Sequence, residues 1–415
     1  MTNLEQSYNK RQEIQRQEWV KKQTQLHKKF SDVKNSSYVQ RPKKINFIPI
    51  VITLAVVFVG LLIWASFCDQ EITRALSTWR LPDAPSQINI TDEIAITNFL
   101  GRVYSYSIYA NIVELIGGLP MLLALVAALS VIFWNAFRIK NKGGRITLQV
   151  VMVLIAFGYI FYRGFASFFP HLIESIKGLQ GYNEFYNANK GACLAIYICG
   201  SLVLCGGIIT GFFVGFRHIN KQILNEMLRW SMATILAIAA SSILFEFILK
   251  NVLVRERFRF IYALEQVKTI KLPDGSTMTG IEFSNTYFGG YKNWYELASN
   301  HIDKHNPYMY KDAIRSFPSG HTSSAATGLL CMFMLPLTVK SCNTYKAKMS
   351  IWTIAPILYF VVALGRLVAG AHYLSDVLFG TLIAISILII FYMVVTWSCR
   401  FFDKWTKLQI YPYSK

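Results

Sequence analysis

The chain has 415 residues, 53% of them hydrophobic, 14% aromatic and only 16% charged, with a formal net charge of +19. That balance excludes an ordinary water-soluble globule. It also excludes nucleic-acid binding as the reason for the charge, because Lys and Arg sit mainly in the N-terminal tail and in short loops between apolar runs.

Residues 1–45 are rich in Lys, Arg and Gln and are expected to form a cytoplasmic tail. A helix lying on anionic lipid is an alternative for part of it, since each basic residue near such a surface contributes about 1 kcal/mol. No short apolar core follows Met1, so insertion is expected to use the first true span. Apolar runs of roughly 20 residues, enough to cross ~30 Å of hydrocarbon as a helix, then recur along the chain. Hydropathy and helix length place spans at about 46–67, 112–137, 147–169, 191–216, 230–250, 321–339, 350–366 and 373–398. The expected fold class is therefore all-α, a polytopic membrane helix bundle of about eight transmembrane helices. Cys193, Cys199, Cys205 and Cys331 fall inside apolar runs without paired spacing, which supports neither a zinc site nor a disulfide framework.

Eight spans put both termini on one side, and the loops say which. Arg138, Lys140, Lys142 and Arg145 mark one loop, Arg217, Lys221 and Arg229 the next, and Lys340, Lys346 and Lys348 a third. The opposite loop, 68–110, carries Asp69, Glu71, Asp83, Asp92 and Glu93, so the positive-inside rule places the termini in the cytoplasm. The long connection 251–318 then lies on the far side. It holds Pro273-Asp274-Gly275, a turn sequence, and the aromatic residues Tyr287, Phe288, Tyr291, Trp294 and Tyr295, which read either as a cap over a site or as an interfacial belt.

Polar groups collect at that far side. Lys250, Arg255 and Arg257 follow the fifth span; Arg315, Ser316, Pro318, Ser319, Gly320 and His321 lead into the sixth; Arg366 closes the seventh, and His372 and Asp376 open the eighth. Any one of these cations has a plain explanation in snorkelling or the helix dipole. Two histidines, several cations and a carboxylate at one depth require partners, because unpaired ionisable groups are costly there. His372 and Asp376 are four residues apart and share a helix face, so the carboxylate can accept from one ring nitrogen and leave the other as a nucleophile. Pro318-Ser319-Gly320 suits a helix start whose N–H groups receive an anion. Lys250, Arg257 and Arg366 suit phosphoryl oxygens, and His321 suits protonation of a leaving oxygen.

Together these residues resemble the type 2 phosphatidic acid phosphatase (PAP2) superfamily. Its motifs read Lys-x6-Arg-Pro, Pro-Ser-Gly-His and Ser-Arg-x5-His-x3-Asp, and they align with Lys250 and Arg257, with Pro318 to His321, and with Arg366, His372 and Asp376. Phe258 replaces the Pro of the first motif, and Gly365 replaces the Ser of the third. The resemblance implies a six-helix catalytic core over 147–398 with an outer insertion at 251–318, two additional spans over 46–146, and a C-terminal tail from 399. It implies no metal or other cofactor. His372 would be the nucleophile that forms a phosphohistidine, His321 the acid, and Asp376 the orienter of His372. Lys250, Arg257, Arg366, Ser319 and Gly320 would bind the phosphate. The implied substrate is a lipid phosphomonoester or pyrophosphate held in the bilayer, such as phosphatidate, phosphatidylglycerol phosphate or an isoprenoid pyrophosphate. Phosphotransfer to another hydroxyl through the same site, and non-catalytic anion binding or transport, remain as alternatives. A bacterial plasma membrane with the site on its outer face is the expected setting, although Asn89-Ile90-Thr91 would be a usable glycosylation sequon in a eukaryote.

Overall fold

The computed structural model describes residues 48–81, 83–90, 117–161, 206–299 and 313–406, with the single positions 18, 25, 109, 113 and 308. Met1–Val59 and Gly60–Lys415 form two compact units, and the contacts described below lie within the second. The helices are α1 (Ile48–Ser77), α2 (Leu119–Asn135), α3 (Lys142–Phe161), α4 (Gly206–Arg217) and α5 (Lys221–Ser242). They continue with α6 (Phe258–Gln266), α7 (Gly280–Tyr287), α8 (Gly320–Thr338), α9 (Tyr345–Val368) and α10 (Leu374–Thr406). A π-helical run, Ile243–Leu249, and a short turn, Lys250–Val252, prolong α5 toward the polar residues.

Caps set several of these starts. Asn220 accepts from the Gln222 N–H before α5, and Thr344 accepts from Ala347 before α9. Thr279 and Glu282 form a reciprocal capping box at α7. Pro120 sits in the first turn of α2, where its missing N–H costs nothing. Among the described residues four helices are long and apolar enough to cross a membrane: Ala55–Ser77, Lys221–Val252, Lys346–Val368 and Leu374–Ser398. Leu119–Asn135 and Gly206–Arg217 are shorter apolar helices. The expected count of eight is thus matched at four places, and parts of the spans expected at 147–169 and 191–216 lie outside the described residues.

The first helix breaks at Cys68 (φ −127, ψ 21), next to the end expected near residue 67, and a further helical stretch carrying Asp69 runs on to Ser77. The last helix runs to Thr406, with no Gly or Pro between Gly380 and Pro412 to stop it, so the stretch expected as a tail begins as helix. α2 packs against the later helices. Met121, Leu125 and Leu129 of α2 share one buried cluster with Ala237 and Ile238 of α5, Cys331 of α8 and Leu388 of α10. Where α2 meets α8 the backbones nearly touch, since a Cβ at Gly328 would lie 2.2 Å from Met121 N. Outward faces are apolar: Phe67 is 80% exposed, and Ile357, Phe360, Ile390 and Met393 are exposed as well, as befits lipid-facing surface.

The all-helical expectation holds with one addition over the insertion. Strands β1 (Gln87–Asn89), β2 (Thr269–Lys271) and β3 (Thr277–Met278) form a small sheet in that order, β1 parallel and β3 antiparallel to β2. Pro273-Asp274-Gly275 makes the expected turn between β2 and β3: Gly275 has φ 84, and Asp274 accepts from the Ser276 N–H at 2.9 Å. Phe260, Leu264, Ile270, Phe283 and Phe288 form the core beneath this sheet. Trp294 donates to Ser66 Oγ at 3.0 Å and packs its ring 4.6 Å from that of Phe379, so the insertion grips both α1 and α10.

Candidate active site

The segment after α5 runs beside the segment before α8. Arg255 N–H donates to the Ile314 carbonyl at 3.0 Å, Ser316 N–H to that of Arg255 at 3.0 Å, and Arg257 N–H to that of Ala313 at 2.7 Å. The α9–α10 turn meets this ladder. Gly370, at φ 61, supplies the left-handed residue that turns the chain after α9, and its carbonyl accepts from the Arg259 N–H at 2.9 Å. His372 lies in this turn and is 2% exposed.

His372 Nδ1 is 2.6 Å from the Ser316 carbonyl oxygen. A carbonyl only accepts, so Nδ1 carries the hydrogen and Nε2 keeps its lone pair. Asp376 Oδ2 stands 3.7 Å from Nδ1, beyond hydrogen-bond length. The ring is therefore oriented directly by a main-chain carbonyl, with the carboxylate as a neighbouring charge. Burial pushes the imidazole down, to about 3; Asp376 opposes this, and Arg366 and Arg257 add to it. The group is neutral at physiological pH.

Asp376 is itself fully enclosed. It accepts from Arg255 Nη1 at 2.7 Å, from Ser316 Oγ at 2.5 Å and from the Tyr373 N–H at 2.9 Å. The last bond is one half of a capping box at the start of α10. Arg255, 0% exposed, also donates through Nη1 to Ser375 Oγ at 2.8 Å, through Nη2 to Asp69 Oδ2 at 3.0 Å and through Nε to the Lys292 carbonyl at 2.8 Å. Its guanidinium carbon lies 3.9 Å from the centre of the Tyr373 ring.

Of the other expected site residues, Ser319, Arg257 and Arg366 are tied to this group, and Gly320, His321 and Lys250 lie on the adjoining segments. Ser319 is the N-cap of α8: its Oγ accepts from the Thr322 N–H, and its own N–H donates to the Asp376 carbonyl at 3.1 Å, tying the second motif to the third. Gly320, buried, opens the helix, and His321 follows it, half-buried. A Cβ at Gly117 would lie 3.1 Å from His321 Cδ2, so the absence of a side chain there makes room for the imidazole. Arg366, in the last turn of α9, is 1% exposed and Arg257 8%, and both act on His372 by charge. Lys250, half-buried, follows the π-helical run and leads through Leu253 to Arg255.

Both departures from the family motifs have local causes. Phe258 takes the first helical position of α6, which a Pro would suit; its buried ring stacks on Tyr262 and meets Tyr373 edge-on. At Gly365 a Cβ would lie 2.6 Å from Val113 Cγ1 and 2.7 Å from Val113 Cβ, so Val113 fills the place a serine would need.

Sequence reasoning did not name Ser375, counted Asp69 only as a loop carboxylate, and placed Ser316 and Arg255 among the outer polar groups without a role. The available signal was the carboxylate at 69, just past an apolar run, matched by a surplus of arginines near the motifs.

Four apolar helices of membrane-crossing length, together with a buried cluster of histidine, carboxylate and arginines, are the make-up of a helical membrane protein. Residues 230–400 match the family model of the PAP2 superfamily, and this part of the chain belongs to that superfamily. The domain is of phosphatase type. No curated protein and no solved structure matches the chain.

Proposed function

We propose that the chain is a membrane lipid phosphate phosphatase, a phosphoric ester or anhydride hydrolase that works through a phosphohistidine. The observation that carries this reading is the buried His372, whose Nδ1–H is committed to the Ser316 carbonyl while Nε2 is left as a lone pair within the influence of Arg366 and Arg257. Nε2 attacks phosphorus; the P–N bond forms as the bond to the lipid oxygen breaks, and His321 passes its proton to that oxygen. His321 then takes a proton from water, whose oxygen attacks phosphorus, and the P–N bond breaks to release inorganic phosphate. Lys250, Arg257 and Arg366, with the Gly320 N–H and Ser319 at the start of α8, stabilise charge on the phosphoryl oxygens, usually the largest catalytic contribution. A site at the end of a membrane bundle favours phosphatidate, phosphatidylglycerol phosphate or an isoprenoid pyrophosphate over soluble esters. The reading includes the non-cytoplasmic face of a bacterial plasma membrane, from the distribution of Lys and Arg.

The test is phosphate release by detergent-purified protein in EDTA from those lipids. Release by the wild type that falls by about 10⁴-fold or more in His372→Ala is the expected result. No release from any lipid sinks the hydrolase reading in favour of phosphotransfer or anion binding.

A further inference from the structure

Asp69 lies outside the segment that matches the superfamily and outside all three motifs, yet it is 2% exposed and bonded to the groups that hold Asp376. Its Oδ1 accepts from the Ser375 N–H at 3.0 Å; its Oδ2 accepts from Ser375 Oγ and, at 3.0 Å, from Arg255 Nη2. The first N–H groups of a helix have no partner within it, so Asp69 caps, from another helix, the turn that carries Asp376. Arg255 spends one prong on Asp376 and the other on Asp69, which fixes the plane of the guanidinium. Within α1, Cys68 leaves the helical conformation, at φ −127 and ψ 21, directly before Asp69. Asp69, Thr73 and Ser77 are all buried, a polar inner stripe on the end of this helix. A buried carboxylate on an apolar helix is costly unless it is paired, and here its partners belong to the site.

We infer that Asp69 is a positioning residue for the reaction proposed above: through Ser375 and Arg255 it fixes Asp376 and the turn bearing His372, which makes α1 part of the active site. This rests on that reading of the site. Asp69 touches no reacting atom and acts only through its partners.

The experiment compares Asp69→Asn, Ser375→Ala and the double variant with the wild type. Each is assayed on the same lipids per unit of folded protein, judged by a monodisperse detergent-purified peak. Asparagine keeps the volume but replaces one acceptor by a donor, which must then face either the Ser375 N–H or Arg255. The expected result is a kcat lower by roughly 10²-fold, the cost of about 1 Å of misplacement near the chemistry, with KM almost unchanged. Ser375→Ala loses less, and the double variant is no slower than Asp69→Asn, because both substitutions break one link. Unchanged kcat in folded Asp69→Asn, with only a lower melting temperature, overturns the inference and leaves the phosphatase reading intact. A wild type inactive on every lipid overturns both. If Asp69→Asn does not fold, Ser375→Ala decides: unchanged kcat there overturns the inference, and a kcat loss at constant KM supports it.

Discussion

Glu256 sits between two of the arginines of the site and is 0% exposed. Its Oε2 accepts from Ser284 Oγ at 2.6 Å, while Oε1 has no hydrogen-bond partner. Burial pushes the carboxyl up to about 8, against the bond from Ser284 and with a small push from Glu265. The sign follows from proton counting. An unfolded chain releases this proton near 4.5 and the folded one near 8, so the folded state holds the extra proton between those values and stability falls as pH rises through that window. Glu256→Gln keeps an acceptor for Ser284 and cannot ionise. Its melting temperature relative to wild type should therefore rise between pH 5 and pH 8, as read by thermal denaturation in detergent; a constant difference would show that Glu256 is already charged when folded. This group was illegible in the sequence because its meaning is burial, which no local pattern records. That His372 and Asp376 lie side by side was legible from their four-residue spacing, but the hydrogen bond expected between them is not made. The acceptor that orients the ring, the Ser316 carbonyl, was not legible, since every residue has a carbonyl and only the fold selects one.

At the scale of elements, the contact of Gly365 with the Val113 side chain links α9 to the stretch leading into α2. A serine at 365 restores the motif but places its Cβ inside contact distance of Val113, so Gly365→Ser should destabilise the protein by about 1–3 kcal/mol, in the range of other overpacked sites. Adding Val113→Ala should recover most of that loss in a detergent melt. Equal melting temperatures for Gly365→Ser and wild type would mean that α9 can slide away at no cost. At α1 the end expected near residue 67 falls at the break at Cys68; what no local window records is that helix resumes to Ser77 with Asp69 paired to Arg255. The π-helical run at Ile243–Leu249 was equally hidden, being a local rewinding without a composition of its own.

For the whole molecule, the motif spacings and apolar runs made the helical membrane architecture and the superfamily readable, while the small sheet was not: β1 has three residues, and its partner in β2 follows more than 170 residues later. The side of the membrane on which the site works is tested by labelling. In a background with its cysteines replaced, Ser276→Cys in the exposed β2–β3 turn should react with an impermeant maleimide in intact cells, and Lys346→Cys only after lysis. The opposite pattern would put the site in the cytoplasm. The bond between Asp69 and Ser375 spans 306 positions of the chain. Synthesis proceeds from the N-terminus, so Asp69 and Arg255 are both made before the last helix exists, and they can neutralise each other while waiting for it. On the proposed reading of the site, activity then waits for the last helix: a chain released before residue 374 would lack the turn that Asp69 and Arg255 hold.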